Sequence, residues 1–216
     1  MLVSELEFGS FLAYCSDKST QSEKIKESKN VMLNLKKEQS TGNPPRIMSQ
    51  VIAERIKQNL TQLPFKDFFG KNVALVPVPK SSLMKTDSLW VSDKIAKALA
   101  NQGFGAYFPC LERIKVVTKS AYAKPDERPK AQDHFNSIKI KSLVYQPIEI
   151  LLIDDIITRG STMLGCASVL KQRFPNIIIR GFAVIRTISN PTDFTSIQDP
   201  CIGKITLIDQ DTYRSP

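Results

Sequence analysis

Leu151-Leu152-Ile153-Asp154-Asp155-Ile156-Ile157-Thr158-Arg159-Gly160-Ser161-Thr162 is the stretch on which the architecture turns. An apolar run of strand length, Glu149 to Asp154, ends in two adjacent carboxylates. A short loop follows, rich in hydroxyls and holding one glycine. Ser161 or Thr162 then opens a helix through Met163, Leu164, Cys166, Ala167 and Leu170. Continuous apolar strands belong to mainly parallel sheets covered on both faces. Ligands of open α/β sheets sit at the carboxyl ends of their strands. The segment predicts an α/β fold with a site in this loop.

Outward from it, the chain alternates in the same way. Residues 73–79, Val-Ala-Leu-Val-Pro-Val-Pro, predict a buried strand that stops at its prolines. Residues 177–186 predict another, and Ile205 to Ile208 a last short one. Ile47, Val51, Ile52, Ile56 and Leu60 recur at helical spacing after Pro44 and Pro45. Asp87 or Ser88 can cap a helix running to about Gln102, ended by Gly103 and Gly105. Residues 106–117 read as extended, and Asn136 to Lys141 alternates like a strand. Thr118 to Asp133 is charged and aperiodic, and reads as a long loop with a job. Residues 1–44 are polar and lysine-rich after a short apolar start at Phe8, Phe11, Leu12 and Tyr14. Residues 16–30 suit a loop or a solvated helix. We expect a mainly parallel sheet flanked by helices. Residues 1–50 are expected as a helical N-terminal extension, and 51–216 as the main domain.

Composition narrows the function. The chain has 216 residues and is 42% hydrophobic, enough for one domain with a buried core. Its longest apolar stretch is too short and too charged to cross a bilayer. The acidic start, Met1-Leu-Val-Ser-Glu5-Leu-Glu7, differs from a signal peptide, so a cytoplasmic location is expected. Cys15, Cys110, Cys166 and Cys201 are too dispersed for a zinc knuckle, and there is one histidine. A net charge of +9 suits a polyanionic partner: nucleic acid, or a small ligand carrying several phosphates.

A loop closing onto a helix N-terminus presents free backbone N–H groups to an anion. Thr158, Ser161 and Thr162 add hydroxyl donors, Gly160 lets the backbone approach closely, and Arg159 could clamp phosphate or point into solvent. Two aspartates aimed at that phosphate would repel it. Asp154 and Asp155 are better suited to the vicinal hydroxyls of a sugar, or to Mg²⁺ held through water. The segment thus asks for a phosphate with a diol beside it, as in ribose 5-phosphate.

The same residues resemble the 5-phosphoribosyl-1-pyrophosphate (PRPP) signature of type I phosphoribosyltransferases over residues 151–162. A weaker resemblance over about residues 73–187 is to the ComF-type and amidophosphoribosyltransferase-like branch. It is carried by Val76-Pro-Val-Pro79, Lys80-Ser-Ser82, Glu112-Arg113 and Glu127-Arg128. The resemblance implies a type I phosphoribosyltransferase, Rossmann-like fold. It implies that Asp154 and Asp155 grip the ribose and serve catalysis, and that Thr158, Arg159, Gly160, Ser161 and Thr162 hold the 5-phosphate. Lys80, Ser81 and Ser82 would receive pyrophosphate. Arg113, Lys115, Lys119, Arg128 and Lys130, on a flexible flap over 113–134, would neutralise it. Mg²⁺ is the implied cofactor, and PRPP and a nitrogen acceptor are the implied substrates. The chain departs from ComF relatives that begin with a cysteine-rich zinc module. It also departs from purine-salvage enzymes that carry aspartate where Thr158 stands, which argues against those acceptors.

The remaining residues read more plainly. His134 suits an ordinary surface position, with catalysis the sharper alternative. Trp90 suits a core position better than a base-stacking one. Arg186 falls where base-binding loops lie in this fold. A non-catalytic PRPP or nucleotide regulator, or a ComF-like accessory factor in DNA uptake, is the alternative to an enzyme. Direct nucleic-acid binding comes after both. The acceptor stays open, as does a homodimer.

Overall fold

Val73, Ala74, Leu75, Val76 and Pro77 are all buried, and so are Ile150 to Ile153. Strands this apolar need a cover on each face, and the chain supplies one. A computed structural model describes residues 1–17, 22–85, 87–118, 128–141 and 147–216. Its elements are β1 (Glu5–Cys15), α1 (Glu23–Lys36), β2 (Ser40–Thr41), β3 (Arg46–Ile47), α2 (Met48–Asn59), β4 (Val73–Pro77) and α3 (Val91–Asn101). After them come β5 (Ala106–Tyr107), β6 (Leu111–Arg113), α4 (Ala131–Asn136), β7 (Ile138–Ile140), β8 (Glu149–Ile157), α5 (Ser161–Arg173), β9 (Ile178–Ile188), β10 (Gln198–Ile208) and β11 (Asp211–Ser215).

The main sheet runs β5-β4-β8-β9-β1-β10-β11. The first five strands are mutually parallel, and β10 and β11 extend the sheet antiparallel. Side chains alternate between two cores. Val76, Ile150 and Leu152 pack with Leu164, Ala167 and Leu170 of α5 and Ala131 of α4. Leu75, Leu151 and Ile153 pack with Ile56 of α2, Ile95 and Leu99 of α3, and Leu35 of α1. Each Val, Leu or Ile side chain among these contributes roughly 1.5–3 kcal/mol on removal from water. The result is the expected α/β arrangement of helices on both faces of a mostly parallel sheet.

Helix α5 is buried along Met163 to Leu170 rather than on one stripe. A helix apolar all round must be enclosed, and here the sheet covers one side and α4 the other. The second contact depends on Gly165, where a Cβ would lie 2.6 Å from the His134 Cβ and 2.9 Å from the Ala131 carbonyl oxygen.

Three expectations need correction. Glu5–Cys15 is not helical: it is a strand between β9 and β10, in the same sheet as the rest of the chain. Its apolar residues fill both cores, Phe8 one and Phe11 the other, so it lacks the alternation that marks a half-buried strand. Among the described residues of the first third, Glu23–Lys36 and Met48–Asn59 are the α-helices, followed by single 3-10 turns at Leu60–Gln62 and Lys66–Phe68. Second, the expected flap begins in strand β6, which pairs with β7, and ends in helix α4; residues 119–127, Lys119 and Glu127 among them, lie outside the described residues. Third, the short strand expected at Ile205 to Ile208 is the end of an eleven-residue strand that turns into β11.

Candidate functional site

Strand β8 is buried up to Ile153 and then emerges, so Asp154 and Asp155 are half-buried at its carboxyl end. The Asp154 carboxylate accepts from Ser92 Oγ of α3 and from the Asp155 backbone N–H, both at 2.9 Å. Desolvation, and then the neighbouring charge of Asp155, hold the Asp154 carboxyl well above the usual carboxylate range. The pair resists carrying two uncompensated charges, which is the condition for gripping a donor or a cation.

The loop after β8 is held by the C-terminal hairpin. Gly160, at φ 84°, turns the chain into α5, and a Cβ there would lie 2.6 Å from Ile205 of β10. Ser161 Oγ meets Thr212 Oγ1 at 2.6 Å, and Arg214 Nε donates to the Thr158 carbonyl at 2.6 Å. Arg159 Nη1 donates to Asp211 at 2.9 Å. From the neighbouring strand β9, Thr187 Oγ1 meets Thr158 Oγ1 at 3.2 Å. A hydroxyl bonded once keeps further capacity, so the loop is braced without being exhausted.

Around it lies a cleft of two lobes. One, of about 560 Å³, is lined by Thr158 to Met163, Asp154, Arg128, Tyr14 and Ser16 from the end of β1, and Thr187 and Ser189 from the end of β9. The other, of about 490 Å³, is lined by Lys80, Ser81 and Ser82 after β4, together with Trp90, Ser92, Asp154, Asp155, Arg113 and His134. Asp154, Ile156, Thr158, Thr162 and Lys36 border both. The cleft thus sits at the carboxyl ends of four parallel strands, with α1 over it through Met32 and Lys36.

The structure brings most of the expected residues together. Asp154, Asp155, residues 158–162, Lys80, Ser81, Ser82 and Arg128 all face the cleft. Lys115 instead lines a separate hollow with Thr118, Pro129 and Asn136. Lys130 is exposed and is absent from both lobe linings.

Arg113 reaches the cleft as a buried strut: it donates to the carbonyls of Lys80 at 2.8 Å and Pro79 at 3.4 Å, and to Ser137 Oγ at 2.5 Å. Arg186 is also buried, paired with Asp199, so it is not free to read a base. Trp90 donates from Nε1 to the Val78 carbonyl at 2.8 Å and lines the second lobe instead of the core.

His134 is 3% exposed, not a surface residue, and burial followed by the charge of Arg113 pushes its pKa down to about 4. Lys36, Ser92, Tyr14 and the β10–β11 hairpin are site elements that sequence reading missed. No local pattern marks them, because the sheet assembles them from distant segments.

Among the described residues, no three His, Cys, Asp or Glu side chains cluster as a metal cage, and no helix is long and apolar enough to cross a membrane. No family model and no curated protein matches the chain. Among solved structures, it is similar to a hypoxanthine phosphoribosyltransferase from Staphylococcus aureus, at 15% identity over 66% of this chain and 73% of that one, with a TM-score of 0.36.

Proposed function

We propose that the chain binds PRPP and transfers its phosphoribosyl group to a nitrogen acceptor, releasing pyrophosphate. The observation that carries this is the order of groups along the cleft. An anion loop (158–162) comes first, then two adjacent carboxylates, then a Lys80-Ser81-Ser82 loop. That order matches a ligand with a phosphate, a vicinal diol and a pyrophosphate in sequence.

In this reading the N–H groups and hydroxyls of residues 158–162 hold the 5-phosphate at the start of α5, where the helix dipole adds about 0.3–1 kcal/mol. Asp154 and Asp155 accept from the ribose hydroxyls, and their negative charge stabilises the cationic sugar formed as the C1–oxygen bond to pyrophosphate breaks. Lys80, Ser81, Ser82 and Arg128 hold the departing pyrophosphate, and the acceptor nitrogen adds at C1. Paired carboxylates suit Mg²⁺, an ion that keeps waters and shares substrate phosphates. Such an ion, held at Asp154 and Asp155 through water, supplies charge to the leaving group. The N-terminal residues 1–50 would cover the acceptor site in this reading, with Met32 and Lys36 of α1 bordering the cleft. The finer placement in the ComF-type branch rests on the Val76-Pro-Val-Pro79 and Lys80-Ser-Ser82 resemblance.

Calorimetry with PRPP and Mg²⁺ tests the binding, and pyrophosphate release with ammonia, glutamine and a panel of bases tests the transfer. Binding that Asp155→Asn leaves unchanged overturns the assignment of the site. Tight PRPP binding without turnover on any acceptor converts the reading into that of a regulator.

A further inference from the structure

His134 stands between a residue that can only donate and a hydroxyl in the cleft. Its Nδ1 lies 3.4 Å from Arg113 Nη2, and its Nε2 lies 3.2 Å from Thr162 Oγ1. Helix α4 is set against α5 at Gly165, where a Cβ would strike the His134 Cβ, so the ring is fixed over the first turn of α5. Arg113 is anchored in turn by the Pro79 and Lys80 carbonyls and Ser137 Oγ.

Hydrogen-bond capacity settles the directions. A guanidinium has donors and no acceptor, so His134 Nδ1 must accept from Arg113. Neutral imidazole then carries its proton on Nε2, and Nε2–H must donate to Thr162 Oγ1. A hydroxyl that accepts from the ring has its one proton left to give, and Thr162 borders both lobes of the cleft. The reverse tautomer would set an N–H against the Arg113 N–H groups. The ring is buried beside the Arg113 cation, which keeps it uncharged.

We propose that His134 is a positioning residue: held by Arg113, it donates to Thr162 and thereby presents the Thr162 hydroxyl as a fixed hydrogen-bond donor to the ligand's phosphate. This rests on the reading of residues 158–162 as a phosphate loop. The same strut ties that loop to the Pro79–Lys80 segment, so the two ends of the ligand are read by one connected network.

The test is a double-mutant cycle on ribose 5-phosphate binding by calorimetry. Thr162→Val is expected to weaken binding about 10-fold, and His134→Leu about 3–10-fold. The double variant is expected to match Thr162→Val within about 2-fold, because nothing is left for the ring to orient. His134→Gln, whose amide can accept from Arg113 and donate to Thr162, is expected to stay within about 3-fold of wild type. Should His134→Leu fail to fold, His134→Asn, polar but too short to span both partners, takes its place in the cycle. A merely structural histidine lowers the melting temperature without this coupling. Independent, multiplicative losses, or wild-type affinity in His134→Leu, overturn the positioning role while leaving the phosphate loop intact. No binding of ribose 5-phosphate by wild-type protein overturns the loop reading itself, and this inference with it.

Discussion

Arg159 Nη1 donates to both carboxylate oxygens of Asp211, at 2.9 and 3.0 Å, joining the loop after β8 to the terminal strand β11. The one cation inside the loop is therefore already paired, and the loop's anion affinity must come from N–H groups and hydroxyls. Both partners are partly exposed, so the pair contributes only about 0.2–1 kcal/mol. Arg159→Ala is expected to change PRPP affinity by less than about 3-fold and to lower unfolding stability by that small amount. A loss of 10-fold or more in calorimetry would show instead that the side chain leaves Asp211 for the ligand.

Gly160 carries a larger penalty for change. At φ 84° any other L-residue costs roughly 1–2 kcal/mol, and a Cβ would lie 2.6 Å from two atoms of Ile205. Gly160→Ala is expected to lose about 2–4 kcal/mol in urea unfolding and to disorder the phosphate loop. Because the clash is with one side chain, the double variant Gly160→Ala with Ile205→Ala should lose less than the sum of the two single variants. Simple additivity would place the strain elsewhere.

Asp154 opposes stability where it serves function. Its folded pKa is raised by desolvation and then by Asp155, so its favourable contribution is full below the ordinary carboxylate value. That contribution is lost as pH rises through the folded value. Charge on this desolvated carboxylate is therefore a burden on the fold. Asp154→Asn is expected to raise stability at pH 7 by roughly 0.5–2 kcal/mol, with a smaller gain at pH 4. It should weaken PRPP binding about 10-fold or more. A variant destabilised at pH 7 would contradict the sign.

Lys36 is exposed in the last turn of α1 and borders both lobes. Its charge is available to a phosphorylated ligand at little structural cost. Lys36→Ala is expected to leave the melting temperature unchanged and to weaken PRPP binding about 3–10-fold, with the loss shrinking at high salt. An unchanged affinity at low salt would remove α1 from the ligand site.

Local pattern revealed the half of the molecule that local physics builds. The apolar run ending in Asp154-Asp155, the loop with Gly160 and the helix at Ser161 were readable because strand, turn and cap each leave residues of a distinctive kind. So was the sheet of buried strands at Val73–Pro77 and Ile178–Ile188. What was hidden was set by pairing across the chain. Phe8 of β1 lies beside Gly181 of β9 and Gly203 of β10, and no window of sequence holds all three. Arg113 and His134 looked like parts of a charged loop because burial of polar residues depends on partners elsewhere. Their partners are Ser137, the Pro79 and Lys80 carbonyls, and Thr162.

The buried ring of His134 gives the stability a pH signature of its own. Its pKa falls from the ordinary 6.5 to about 4, first through burial and then through Arg113, with Asp133 opposing the shift. The folded protein favours the neutral ring, so the unfolded chain binds more protons between those values and stability rises with pH there. The contribution is full above pH 6.5 and is lost as pH falls toward about 4. At 1.36 kcal/mol per unit, the ceiling is about 3 kcal/mol. Other groups, Asp154 among them, also titrate in acid, so the clean measurement is a difference. Urea unfolding of wild type and His134→Gln at pH 4, 5, 6, 7 and 8 should give a stability gap that is constant from pH 7 to 8. Below that the gap should shift toward the variant by up to about 3 kcal/mol by pH 4. A gap independent of pH would mean that the ring ionises as freely in the folded protein as in the unfolded chain. The Nδ1 acceptor that receives the Arg113 N–H would then be lost as the pH falls through 6.5, and with it the anchor that holds the ring toward Thr162.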